Sequence, residues 1–114
     1  MMQYELWTYR RPLTTTDLTG FKVEASDGSI GKVDEATYDM GSSYLIVDTG
    51  PWIFGKKVML PAGTVQTVDV DNQKVLVDRT KDEIKNAPEF DPAMYQEPVY
   101  RDKLGGYYEP YYRR

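Results

Sequence analysis

Between residues 20 and 79, apolar and polar side chains alternate in short runs. Each run is closed by turn chemistry, at Asp27-Gly28, Gly41-Ser42-Ser43, Gly50-Pro51, Ala62-Gly63 and Asp71-Asn72. Alternation with period two marks a strand with one wet and one dry face. Turn signals about every ten residues predict a small closed all-β domain rather than alternating βαβ units. Closure is expected because strands this short would otherwise leave unpaired edges.

Along the chain, Phe21, Val23 and Ala25 alternate with Lys22 and Glu24, and Ser26-Asp27-Gly28-Ser29 predicts a hairpin turn. The second strand, about residues 30–38, breaks the pattern, since Ile30 and Val33 stand three apart. A β-bulge or bend at Gly31 is the economical explanation. Tyr44-Leu45-Ile46-Val47 is apolar at four consecutive positions, and Pro61 ends the strand that begins at Lys56. If Leu45, Val47, Val58, Leu60, Val75 and Val77 face inward, then Tyr44, Ile46, Met59 and Leu76 face outward. Outward positions wetted by solvent should be polar, so these four imply cover. Two sources stand open: the chain's own arm, helical turn or tail, or a second protomer or partner.

The ends read differently. Leu6, Trp7, Tyr9 and Leu13 make residues 1–16 an arm that lies against something. Thr80-Lys81-Asp82-Glu83 matches a capping box, predicting a helix of two turns at most, anchored by Ile84 and stopped at Ala87-Pro88. Beyond it, prolines and Gly105-Gly106 interrupt any regular element, while six of the chain's ten tyrosines fall in its last twenty residues. Proline and glycine argue for a solvated tail. Tyr107, Tyr108, Tyr111 and Tyr112 argue for contact, because tyrosine offers large area with few rotamers to freeze. Trp52, Ile53 and Phe54 sit in a strand connection, where polar residues are usual. They either plug the barrel mouth or anchor a partner.

Charge narrows the partners. Residues 17–92 carry 14 acids against 8 bases, while residues 1–16 and 93–114 are each net +1. An acidic body repels phosphate backbones, so no nucleic-acid partner is expected. The chain has no cysteine and no histidine, which removes disulfides, thiolate nucleophiles, imidazole metal sites and the usual triads. No catalytic residue, cofactor or metal is expected. Asp69-Val70-Asp71-Asn72 fails as a calcium loop, since position six is Lys74 and position twelve Thr80. Asp34 and Glu35, adjacent on a strand, point to opposite faces. Gly28-Ser29-Ile30-Gly31 joins strands, unlike the Gly-x-x-Gly clamp of KH domains. The loop from Gly50 to Gly55 lacks the Gly-Lys-Ser/Thr end of a phosphate loop. The chain shows neither a signal-peptide pattern nor a membrane span, so the expected compartment is the cytoplasm.

Three stretches together resemble the PRC-barrel domain family: Asp27-Gly28-Ser29-Ile30-Gly31-Lys32-Val33, Lys57-Val58-Met59-Leu60-Pro61, and Val77-Asp78-Arg79-Thr80-Lys81-Asp82-Glu83-Ile84 with Ala87-Pro88. The resemblance covers residues 17–92 and leaves residues 1–16 as an N-terminal arm and 93–114 as a Tyr/Pro/Gly-rich tail. It implies an all-β fold: a small six-stranded PRC-type barrel, a short C-terminal helix, and extended N- and C-terminal arms. The family includes the cytoplasmic part of the photosynthetic reaction-centre H subunit and the C-terminal domain of a ribosome maturation factor. It implies an assembly or adaptor module without a family-wide active site, here expected to bind protein partners and to self-associate. The expected contact residues are Trp52, Ile53, Phe54, Tyr44, Ile46, Met59, Leu76, Tyr107, Tyr108, Tyr111 and Tyr112. The alternative is an accessory factor in ribosome maturation or in photosynthetic complex assembly. Neither the membrane helix of the one nor the RNA-associated domain of the other is expected here, so neither specific job is expected to transfer.

Overall fold

Strand β1 (Lys22–Ala25) turns directly into β2 (Gly28–Ala36), and four more strands follow: β3 (Tyr44–Asp48), β4 (Lys57–Pro61), β5 (Val65–Asp69) and β6 (Lys74–Val77). These features come from a computed structural model that describes residues 5–11, 16–50 and 56–112. The six strands form one sheet in the order β4-β3-β2-β1-β6-β5. The β1–β6 pair is parallel and the other pairs are antiparallel. Among the described residues no ladder joins β4 to β5. A 3₁₀ turn over Ala62–Thr64 links them instead. The expected six strands are present, but the closing seam is not a strand pair. The chain's own arm lies there: Leu6 O accepts from Gly63 N at 2.6 Å and Arg10 Nε donates to Gly63 O at 3.1 Å. Backbone groups beside the gap thus find partners without a ladder.

The irregular second strand is bulged where the pattern breaks. Val23 pairs with Gly31 and Glu24 with Ser29, leaving Ile30 as the extra residue. The bulge resets the phase, so Ile30 and Val33 are both buried despite standing three apart. Gly31 holds φ +145°, and a Cβ there would stand 2.0 Å from Asp48 O. Only glycine lets the two backbones approach this closely. A second irregularity follows, where Val33 pairs with Val47 but Glu35 with Ile46.

The inward set behaves as its parity requires. Leu45, Val47, Leu60, Val75 and Val77 are buried, with Leu45 opposite Leu60 and Val47 opposite Val58. Val58 is only half-buried, because it lines a surface cleft described below. Helix α1 (Lys81–Lys85) carries the full capping box: Thr80 N donates to Glu83 Oε1 at 2.9 Å and Glu83 N to Thr80 Oγ1 at 3.1 Å. Asp27 Oδ1 accepts from Lys81 N at 2.8 Å, tying the β1–β2 turn to the helix start, and Ile84 drops into the core.

The extended C-terminal arm is the expectation that needs correction. Residues 98–108 form a second helix, α2 (Pro98–Tyr108), continued by a 3₁₀ turn over Glu109–Tyr111. Pro98 initiates rather than interrupts it. At the first helical position its missing N–H is not needed and its φ is already suitable. Tyr100, Leu104 and Tyr108, four apart, make a buried stripe. The two glycines each weaken a helix by about 1 kcal/mol. The arm packs against Gly105, where an added Cβ would find ordinary contact 3.5 Å from Trp7 Nε1 and 4.0 Å from Leu6 Cδ2. Trp7 in turn accepts from Ser43 N at 2.8 Å through its carbonyl, and the Arg101 guanidinium sits 4.6 Å from its ring centroid. The N-terminal arm and the C-terminal helix therefore pack on each other and on the sheet.

Candidate interaction surface

The four outward apolar residues fall in two classes. Ile46 and Met59, paired across β3 and β4, are buried, while Tyr44 and Leu76 are half-buried. The cover over β3 and β4 comes from the chain itself. Tyr95 meets Tyr44 edge-on at 6.1 Å between ring centroids, and Phe90 stands 5.1 Å from Tyr95. Of the two open sources, the chain's own C-terminal segment supplies this part.

The tail tyrosines are likewise engaged within the chain. Tyr107 Oη donates to Glu83 O at 2.5 Å, and Tyr112 Oη to Asp78 Oδ1 at 2.6 Å. Arg79 lies 4.6 Å from the Tyr111 centroid and 5.0 Å from that of Tyr112, two cation–π contacts. Arg10 pairs with Asp78 and approaches Tyr112 at 5.8 Å. Tyr108 is fully buried, and among the described residues its hydroxyl has no hydrogen-bond partner. Burial pushes its ionisation well above the usual tyrosine range and lifts Tyr107 and Tyr100 to about 12. Only Tyr111 of this group remains exposed, at 43%. Trp52, Ile53 and Phe54 lie outside the described residues.

A surface feature that the sequence reading did not isolate is a cleft of about 560 Å³ between β4 and residues 84–92. Its floor is apolar, with Val58, Met59, Ile84 and Phe90, and its rim carries Lys56, Lys57, Lys85 and Glu89. Lys56 Nζ reaches Glu89 Oε1 at 2.7 Å, which holds the Glu89 carboxyl below the usual range. Lys57 Nζ reaches Asp34 Oδ2 at 2.8 Å, and that hydrogen bond raises the lysine. Both pairs are solvent-exposed, where an ion pair contributes about 0–1 kcal/mol and exchanges partners readily. Lys85 makes no ion pair among the described residues. The sequence signal was present in Lys56-Lys57 and in Ala87-Pro88-Glu89-Phe90. Its meaning depended on α1 turning the second segment back over β4.

The PRC-barrel domain model matches residues 13–84, well over half of the chain, and the chain belongs to that family. Among solved structures, a 16S ribosomal RNA processing protein, RimM, from Pseudomonas aeruginosa is similar, with a TM-score of 0.48 and 23% identity. The likeness covers 57% of this chain and 42% of that one, and is too distant to speak to function. A search of curated proteins finds no significant match. No helix among the described residues is long and apolar enough to cross a membrane.

Proposed function

We propose that this PRC-barrel chain is a non-enzymatic, cytoplasmic interaction or assembly module that associates with copies of itself. The observation behind this reading is the cleft beside β4. It leaves an apolar floor at the surface of a fold that elsewhere uses both termini to cover its outer apolar face. Exposed Met40, Val70 and Val99, 87%, 53% and 69% accessible, add isolated apolar points suited to contact. The ribosome-maturation alternative finds less support, since an acidic body of net −6 over residues 17–92 disfavours an RNA backbone. Light scattering across micromolar concentrations tests self-association. The expected result is a mass above that of one 13.1 kDa chain, falling on dilution. A single-chain mass throughout removes this reading.

A further inference from the structure

The turn between β5 and β6 is the chemical complement of the cleft. Asp69, Val70 and Asp71 stand consecutively there, and Val70 is 53% exposed. The turn is built rigidly for so small a feature. Asn72 donates to Asp69 twice, from N to Oδ1 at 3.1 Å and from Nδ2 to Oδ2 at 2.8 Å. Gln73 N donates to Val70 O at 3.2 Å, and Gln73 sits in the left-handed region at φ +53°. Lys22 N then fixes Gln73 O at 2.9 Å, so the crest is anchored to β1. A turn already held in one shape loses little entropy on binding.

The cleft presents the opposite character, an apolar floor ringed by three lysines and one glutamate on a chain of net charge −4. We propose that the β5–β6 turn of one copy seats in the cleft of a second copy. Val70 meets Val58 and Phe90, the half-buried part of the cleft floor, while Asp69 and Asp71 face Lys56 and Lys85. The inference rests on the self-association reading and names its surfaces. Knob and cleft are different patches on one chain, so two copies can exchange knobs across a two-fold axis, or copies can join head to tail into a ring or a chain. The charge component weakens as salt rises.

Two variants of the full chain separate the parts: Val70→Asp spoils the knob and leaves the cleft, and Lys56→Glu with Lys85→Glu spoils the cleft and leaves the knob. Sedimentation velocity is expected to show wild type as concentration-dependent oligomers, dimers if knobs are exchanged reciprocally and a longer series if copies join head to tail. Each variant alone should associate about tenfold or more weakly, a change worth 1.4 kcal/mol per decade. An equimolar mixture of the two should recover association but stop at dimers, because only one productive knob–cleft pair exists. Wild-type oligomers unaffected by either variant overturn this docking while leaving self-association standing. A wild type that never exceeds one chain overturns both. Val70, Lys56 and Lys85 are surface positions, and unchanged thermal unfolding of the variants confirms that folding is not what was measured.

Discussion

The sheet and the C-terminal segment are held by different kinds of interaction. Strands β1 to β6 are joined by backbone ladders, and side chains such as Val23, Val47 and Val75 are wholly buried. Residues 88–112 share no ladder with the sheet. They are fixed by α2's stripe of Tyr100, Leu104 and Tyr108, by tyrosine hydroxyls on Asp78 and on the Glu83 carbonyl, and by guanidinium–ring contacts. Ladders tie every residue to its neighbours, so a sheet opens as a unit. A helix docked by side chains can leave while the sheet persists.

The largest break is expected at Gly31, where any Cβ collides with the Asp48 carbonyl. Gly31→Ala should cost on the order of 4 kcal/mol, since neither backbone can retreat without breaking the β2–β3 ladder. Gly20 also has a positive φ, +87°, but open space around it. Gly20→Ala should therefore lose only about 1–2 kcal/mol. Urea unfolding of the pair checks this, and equal losses would refute the steric account.

Leu104→Ala tests the other region. Removing a fully buried leucine typically costs about 2–5 kcal/mol, the lower end where the site can collapse. Here the loss should appear in α2 first. Amide exchange is expected to speed up across residues 98–108 and at Ser43 and Gly63, which bond to the N-terminal arm, while β1 and β2 keep their protection. Uniform loss across both regions would mean that sheet and helix open together.

The two regions also differed in how far the sequence revealed them. Strand positions, the bulge near Gly31 and the capping box at Thr80 rest on residues adjacent in sequence, and their patterns are written locally. Helix α2 is hidden in the sequence because Pro98 and Gly105-Gly106 carry the signature of interruptions. Pro98 is harmless only at the first helical position, and the two glycines are tolerated only because the stripe of Tyr100, Leu104 and Tyr108 is buried. The spacing of Tyr100, Leu104 and Tyr108 could have suggested the helix, but three residues are a thin stripe. The cover over Met59 and the cleft beside it depend on where α1 sends the chain, a tertiary fact with no local signature.

Alkaline pH should loosen the termini selectively. Tyr100 and Tyr107 ionise near 12 when folded, and Tyr9 and Tyr108 are pushed higher, chiefly because burial disfavours the phenolate. Unfolded tyrosine ionises near pH 10. A folded value above the unfolded one means full stability below about pH 10, lost as pH rises through about 12. Tyrosinate absorbance and helical circular dichroism should change together in that window. Tyrosines that all ionise near 10 with the helix intact would contradict their burial.

The smallest effect carries the most informative sign. Tyr107 and Tyr108 are neighbours on α2 with rings 5.0 Å apart, yet one hydroxyl is bonded and the other is not. Tyr107→Phe removes a hydrogen bond and leaves the Glu83 carbonyl without it, so about 1 kcal/mol of stability should go. Tyr108→Phe removes a buried donor that is stripped of water without compensation, so stability should hold or rise by up to about 1 kcal/mol. The two variants differ by one oxygen atom each and should move the melting temperature in opposite directions, or one downward and the other not at all. If Tyr108→Phe instead destabilises as much as Tyr107→Phe, its hydroxyl has a partner, and a buried water is the species that fits so enclosed a place.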